Sequence, residues 1–183
     1  GQPPGDEVAL DEYDTHVLGL GPWVQAELRY KTVTVTPGLR AETFLVESSK
    51  KIPPSAGVPP VGSSRFESAF DPRVAVAWAT TPRLSFTASG GTYHQAPEPD
   101  ELSAVFGTPA LGLAKATHAS LTQAVKVTGT LSIEATGFWK SLADVTVRSR
   151  LPTPKSATVL VQNGEGKSYG FQVLARQELW RGF

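Results

Sequence analysis

Hydrophobic residues in this chain recur at every second position, and helical spacing is scarce. From Leu18 to Tyr30 one face reads Leu18, Leu20, Pro22, Val24, Ala26, Leu28 and Tyr30. The other reads Gly19, Gly21, Trp23, Gln25, Glu27 and Arg29. This predicts a strand of about 13 residues, well beyond the usual five or six. After a tight Lys31-Thr32 link, Val33, Val35, Pro37, Leu39 and Ala41 alternate with Thr34, Thr36, Gly38, Arg40 and Glu42. A third run sets Phe70, Pro72, Val74, Val76 and Trp78 opposite Asp71, Arg73, Ala75 and Ala77. A turn at Thr80-Thr81-Pro82 leads to a fourth, with Leu84, Phe86 and Ala88 against Arg83, Ser85, Thr87 and Ser89. A weaker fifth runs from His118 to Val127. The sixth carries Leu131, Ile133, Ala135, Gly137 and Trp139 on one face and continues through Val145 to Val147 past a bend at 141–144. The seventh spans Ser168 to Leu179, with Tyr169, Phe171, Val173 and Ala175 on one side.

Connection lengths alternate. Short links fall near Lys31, Thr81 and Thr128, and long ones span roughly 47–67, 93–117 and 149–167. Structureless loops beyond about 12 to 15 residues are uncommon in compact soluble domains. Long up-and-down strands with tight turns at one end and long loops at the other describe an outer-membrane barrel. Trp23, Tyr30, Phe70, Trp78, Tyr93, Trp139 and Tyr169 stand near strand ends, where interfacial girdles of aromatic rings are built. Period two also fits a soluble β-sandwich, whose apolar faces turn inward. Strand length, loop rhythm and polar faces rich in Gly, Ser and Thr favour lipid. The expected fold is all-β: antiparallel strands forming part of a transmembrane β-barrel, with the sandwich as the alternative.

Composition narrows the function. Seventeen basic and seventeen acidic residues leave no net charge, so nothing here calls for nucleic acid. Cysteine is absent, which excludes disulfides, thiolate metal sites and a cysteine nucleophile. No run of about 18 apolar residues could form a spanning helix, a fact silent about barrels. The first 14 residues hold Asp6, Glu7, Asp11, Glu12 and Asp14 without a base. Residues 1–15 therefore read as a polar acidic lead-in or external loop, and 16–183 as a partial barrel of about seven strands with three long loops.

Candidate chemistry gathers in TYHQAPEPDELSAVFGTPALG, residues 92–112. Tyr93, His94, Gln95, Glu98, Asp100 and Glu101 are the candidate ligand contacts of an external loop. One His with carboxylates could serve a hard or borderline cation, yet Pro97 and Pro99 keep the chain extended and no second His lies near. Asp100 reads instead as the cap of a helical turn running through Ala104. On the polar faces, Glu27, Arg29, Arg40, Glu42 and Arg73 are expected to face a lumen. His16 and His118 fall at strand ends and read as solvated. No Gly-x-Ser-x-Gly elbow is present, and NGEG lacks the Lys of a phosphate loop. No enzyme, metal or cofactor reading follows.

Several stretches resemble the TonB-dependent outer-membrane receptors. DPRVAVAWATTPRLSFTASGGTYHQAPEPDELSAVFGTPALG is similar to the strand pair that leads into a large external loop, through Tyr93, Ala96, Pro97, Leu102, Phe106, Gly107, Pro109 and Leu111. IEATGFWKSLADVTVRS resembles the aromatic-rich strand that follows, through Gly137, Phe138, Trp139 and Lys140. NGEGKSYGFQVLARQEL resembles the loop that re-enters the barrel, through Asn163, Gly164, Gly166, Tyr169 and Gly170. Thr108 stands where Asn is usual, Leu113 and Ala114 replace a common Pro-Glu pair, and Gln172 replaces Glu. The resemblance implies uptake of a scarce nutrient such as a siderophore, cobalamin or glycan. It also implies outer-membrane lipid, a plug and a TonB-type energising protein as partners. Such barrels have about 22 strands and a plugged lumen. Seven strands leave open edges that lipid cannot satisfy, so a fragment, a truncated product or one chain of a split barrel is expected.

Overall fold

The computed structural model describes residues 13–50, 62–103, 105–152 and 158–178, and among them one antiparallel sheet holds every strand. The first predicted strand is present as three pieces, β1 (Tyr13–Leu20), β2 (Trp23–Gln25) and β3 (Leu28–Tyr30). All three pair with β4 (Val33–Lys50). Then follow β5 (Ser63–Thr81), β6 (Leu84–Gln95), β7 (Ala114–Lys126), β8 (Leu131–Arg148) and β9 (Leu160–Gln177). Each strand from β4 onward pairs with the next in sequence, which is up-and-down topology with seven positions across the sheet. The breaks in the first strand fall at Gly21-Pro22 and Ala26-Glu27. Proline offers no N–H to the ladder, whereas an edge tolerates the gap.

The soluble sandwich is overturned. A sandwich needs two facing sheets with their apolar sides sealed together, and these strands form one. The apolar face is instead open: Phe66, Phe70, Tyr169 and Phe171 are each at least 68% exposed, alongside Leu18, Val24, Leu39, Val74, Ile133 and Val173. A contiguous apolar surface of this extent marks a membrane or partner face.

Register shows which residues share a side. Leu18 sits opposite Leu45, Leu39 opposite Pro72, Val35 opposite Val76, and Trp78 is flanked by Val33 and Phe86. Trp78 and Phe86 pack with tilted rings 6.1 Å apart beside the short 81–84 turn, the girdle expected at that end. Two ring assignments are corrected. Trp23 pairs with Arg40, and Tyr93 leans on His118 at 4.7 Å, so both lie on the polar side. Each is one residue out of phase with the apolar set, and a one-residue shift changes the face of a strand.

Only Val46, Leu102 and Leu111 are buried apolar residues among those described. They form a small cluster with Phe44 and Leu160 packed against it. In a flat sheet β4 and β9, five positions apart, would stand about 24 Å from one another. Two leucines of the 96–113 connection cannot fill that distance. The sheet therefore curls so that β4 and β9 approach across the polar face, which is concave, and the apolar face is convex.

Strands run longer and loops shorter than the sequence predicts. The connections are 51–62, 96–113 and 149–159. The fifth strand begins at Ala114 rather than His118. β8 runs unbroken through the expected bend, absorbing it as a bulge between Leu142 and Val145 where Asp144 takes φ 55°. Most of the acidic lead-in lies outside the described residues, and β1 begins within its last three positions, at Tyr13.

Candidate functional site

One row of paired residues crosses the concave face. Gln25 opposes Gly38, Gly38 opposes Arg73, Arg73 opposes Gly91, Gly91 opposes His118, and His118 opposes Lys140. Two glycines therefore flank Arg73. A Cβ on Gly38 would stand 3.2 Å from the Arg73 Cγ, and one on Gly91 would stand 2.9 Å from its Cβ. The missing side chains leave a hollow of about 430 Å³ on this wall. Thr36, Ser89, Ser120 and Phe138 complete its polar and aromatic lining with Tyr93. Ser89 and Ser120 share a hydrogen bond of 2.8 Å.

The hollow holds Arg73, His118 and Lys140 and no carboxylate. The Arg73 guanidinium lies over the Tyr93 ring at 5.3 Å, and that ring tilts against His118. The Arg73 Nε and His118 Nε2 are buried without hydrogen-bond partners. The nearest acids by register are occupied. Asp71, 2% exposed, accepts from the His94 backbone N at 3.2 Å and sits 2.7 Å from its Nδ1. Glu42, also buried, forms an ion pair with Arg40, although the Arg40 Nε makes no well-aligned hydrogen bond.

The candidate loop residues are dispersed. Tyr93, His94 and Gln95 end β6 and do not lie in the loop. The strand thus continues two residues past the expected start of the connection at about 93. Glu98, not Asp100, caps the short 3₁₀ turn Pro99–Leu102, because Pro99 fits the first helical position and sets the cap one residue before it. The Glu98 backbone N donates to the Glu101 carboxylate at 3.0 Å. Ala104, the expected end of that turn, lies outside the described residues. Among the described residues no three His, Asp or Glu side chains are grouped as a metal would need.

The polar-face residues separate likewise. Arg29 pairs with Glu27 at the exposed edge, an ion pair of little energetic weight. Arg40 and Glu42 pair on the wall, and Arg73 enters the hollow. His118, read as a solvated strand end, lies within β7 with its Nε2 buried, and Lys140 was not singled out as a site residue. Their placement beside Arg73 follows from pairing across three ladders, which no local pattern carries.

The loop 96–113 arches over this face. Ser48 Oγ donates to the Leu102 carbonyl at 3.4 Å, and Ser63 Oγ to the Pro109 carbonyl at 3.1 Å. Arg65 reaches the Ala110 carbonyl. On the far side Thr108 Oγ1 donates to the Leu160 carbonyl at 2.7 Å, and Gln162 clamps both the N–H and C=O of Gly112 at 2.6 and 2.9 Å.

A family model described as TonB dependent receptor-like, beta-barrel matches residues 2–183. No curated protein sequence matches the chain. Among solved structures, the FrpB iron transporter from Neisseria meningitidis (F3-3 variant) superposes with a TM-score of 0.71 at 19% identity, over 93% of this chain and 25% of that one. Its F5-1 variant in the apoprotein form gives 0.70 at 17%, over 91% and 24%. The ferric-catecholate import receptor Fiu from K12 E. coli, in a closed form, gives 0.67 at 12%, over 92% and 26%. The chain thus spans about a quarter of the length of these structures, and the likeness is one of fold. With a single curled sheet, an apolar convex face and a family match along nearly its whole length, this chain belongs to the TonB-dependent receptor-like β-barrel family, a family of transport receptors.

Proposed function

We propose that this chain is a section of the wall of a bacterial outer-membrane receptor that admits a scarce nutrient, with no catalytic step and no cofactor. The observation that carries the reading is the open sheet whose convex face is apolar and whose concave face is polar. In lipid every backbone N–H and C=O must be paired within protein, so the free edges at β1–β3 and β9 require further strands to close the wall. The partners are outer-membrane lipid, the remainder of the barrel, a plug within it, and a TonB-type protein that supplies energy through that plug. Glu27, Arg29, Arg40, Glu42 and Arg73 line the lumen in this reading. Glu98, Asp100 and Glu101 meet the cargo at the external loop, with Tyr93, His94 and Gln95 just below it at the end of β6. Siderophores, cobalamin and glycans remain the cargo classes, and the iron transport named for the FrpB structures favours the first.

The test is membrane fractionation of the complete receptor. It is expected in the outer-membrane fraction, soluble only in detergent, and to migrate differently on gels before and after boiling. Recovery as a monodisperse protein without detergent would refute the reading.

A further inference from the structure

The convex face changes character across the sheet. On β5 its apolar positions run from Trp78 through Val74 to Phe70 and Phe66. On β8 and β9 they stop at Trp139 and Tyr169, which share a paired row with Val74 through Gly90 and Ala119. The apolar band therefore crosses the rows obliquely, as strands tilted by roughly 35–45° require. Trp139 and Tyr169 mark its outer boundary, because the long 96–113 and 149–159 connections lie beyond them and long loops belong on the outer side.

Immediately past that boundary the same face turns polar. Thr117 pairs with Ser141, and Ser141 with Lys167, while Lys115 stands one same-face position further along β7. Both lysines are exposed. Arg148 and Arg150 gather at the outer end of β8. Glu165, next on this face of β9, and Asp144, in the bulge, are the acids of this region, so bases predominate. At the outer end of β1 and β4 the convex face carries Asp14, His16 and Glu47 instead, with His16 opposite Glu47. Below the lysines lies a groove. Leu121, Gly137 and Phe171 form one row, and a Cβ at Gly137 would meet nothing within 4 Å. The result is an open hollow of about 580 Å³ lined by Ala119, Leu121, Gly137, Trp139, Tyr169 and Phe171. Tyr169 and Phe171, 80% and 82% exposed, wall it on the β9 side.

We propose that this surface over β7–β9 binds one phosphorylated glycolipid of the outer leaflet, with an acyl chain along the Gly137 groove and the headgroup phosphate held by Lys115 and Lys167. The two lysines stand two strands apart, about 10 Å across the sheet, and so flank one headgroup. An ammonium binds phosphate as a point charge, and Thr117 and Ser141 between the lysines offer hydroxyl donors. Trp139 and Tyr169 sit where chain meets headgroup, the level that amphipathic rings occupy. The acidic end of β1 and β4 offers an anion no such match, which confines the lipid to one side of the wall. The inference rests on the barrel reading, whose lipid-facing surface it continues.

The test uses the complete receptor in detergent and native mass spectrometry. The probe is diphosphoryl lipid A, with the same glycolipid stripped of its phosphates as control and phosphatidylglycerol as the phospholipid arm. One lipid A per receptor is expected to be retained, and the other two lipids to bind at least tenfold more weakly. Lys115→Gln combined with Lys167→Gln is expected to weaken lipid A about tenfold. Gly137→Leu fills the groove without crowding a neighbour and is expected to weaken it by a similar factor, while Arg83→Gln at the short turn leaves it unchanged. Equal retention of lipid A and its dephosphorylated form, or of lipid A and phosphatidylglycerol, overturns the site, as does unchanged lipid A binding in Gly137→Leu. Several lipids per receptor, indifferent to every substitution, also overturn it, and so does a dimer that excludes lipid, which assigns the groove to a second copy of the chain. Whether the receptor fractionates with the outer membrane is read separately, so failure of the lipid site and failure of the barrel reading are distinguishable.

Discussion

The Asp71 carboxylate holds His94 twice, through the backbone N–H at 3.2 Å and the ring Nδ1 at 2.7 Å, where the β5–β6 ladder has already ended at Gly91. A side chain thus takes over from backbone pairing in fastening the last residues of β6 to β5. The 96–113 loop departs from that fixed point. His94 is consequently a loop anchor rather than a free ligand, and its partner sits in a strand 23 residues earlier.

Removing the carboxylate leaves two half-buried groups on His94 unmatched. Asp71→Ala is expected to cost about 1–3 kcal/mol, the usual penalty for an orphaned buried partner. Asp71→Asn retains an acceptor for the backbone N–H and should recover part of that loss. Differential protease cleavage of the 96–113 loop in folded receptor measures it: rapid in Asp71→Ala, intermediate in Asp71→Asn.

The glycine row gives a sharper contrast. A Cβ at Gly91 would approach the Arg73 Cβ to 2.9 Å and the Pro72 carbonyl to 3.0 Å, whereas one at Gly137 meets nothing within 4 Å. Gly91→Ala is expected to destabilise by about 1–3 kcal/mol through overpacking, and Gly137→Ala to be close to neutral. Thermal melts of the two variants in one detergent decide the matter. Equal melting temperatures would mean that the row is not closely apposed.

Alternation along β5 was legible from sequence because each residue there obeys a local rule, and the count of seven strand positions followed from it. The curl was not. It is seen only through the cluster at Leu102 and Leu111, which stand in a Pro-rich connection and carry no period. Ala114 to Thr117 and the 47–50 stretch also read as loop, since small and polar residues dilute the apolar signal, yet the first pairs with β6 and the second with β1. For the site, Arg73 and Tyr93 were legible as polar-face and near-loop residues. His118 and Lys140 were not, because their meeting with Arg73 is fixed by register across β5, β6, β7 and β8. Register is a property of pairs of strands, and a single strand's pattern gives only the face.

The two faces predict opposite responses to the same substitution. Val74→Arg sets a charge in the centre of the apolar band and is expected to cost about 2–4 kcal/mol, with reduced insertion into membranes. Ala77→Arg lies on the concave side, opposite Thr34 and Thr87, and is expected to insert normally. Yields of heat-modifiable receptor compare the two directly. A tolerated arginine at 74 with a damaging one at 77 would invert the assignment of faces.

Leu102 gives the last and most local prediction. It is fully buried although it belongs to a connection, and it lies against Val46 and Leu111 with Phe44 and Leu160 beside them. Phe106, five residues along from Glu101 in the same loop, is 60% exposed despite its larger ring. Leu102→Ala removes the side chain that seats the arch on β4 and leaves a cavity, at a cost of about 2–5 kcal/mol. Phe106→Ala should cost under 1 kcal/mol, because little of that ring leaves water on folding. The strands themselves keep their ladders in both variants, so heat-modifiability should be unchanged. What changes in Leu102→Ala is the loop, and faster hydrogen exchange confined to 99–112 is the expected signature. Exchange that instead accelerates through β4 and β9 would mean that the small cluster holds the curl of the wall as well as the arch above it.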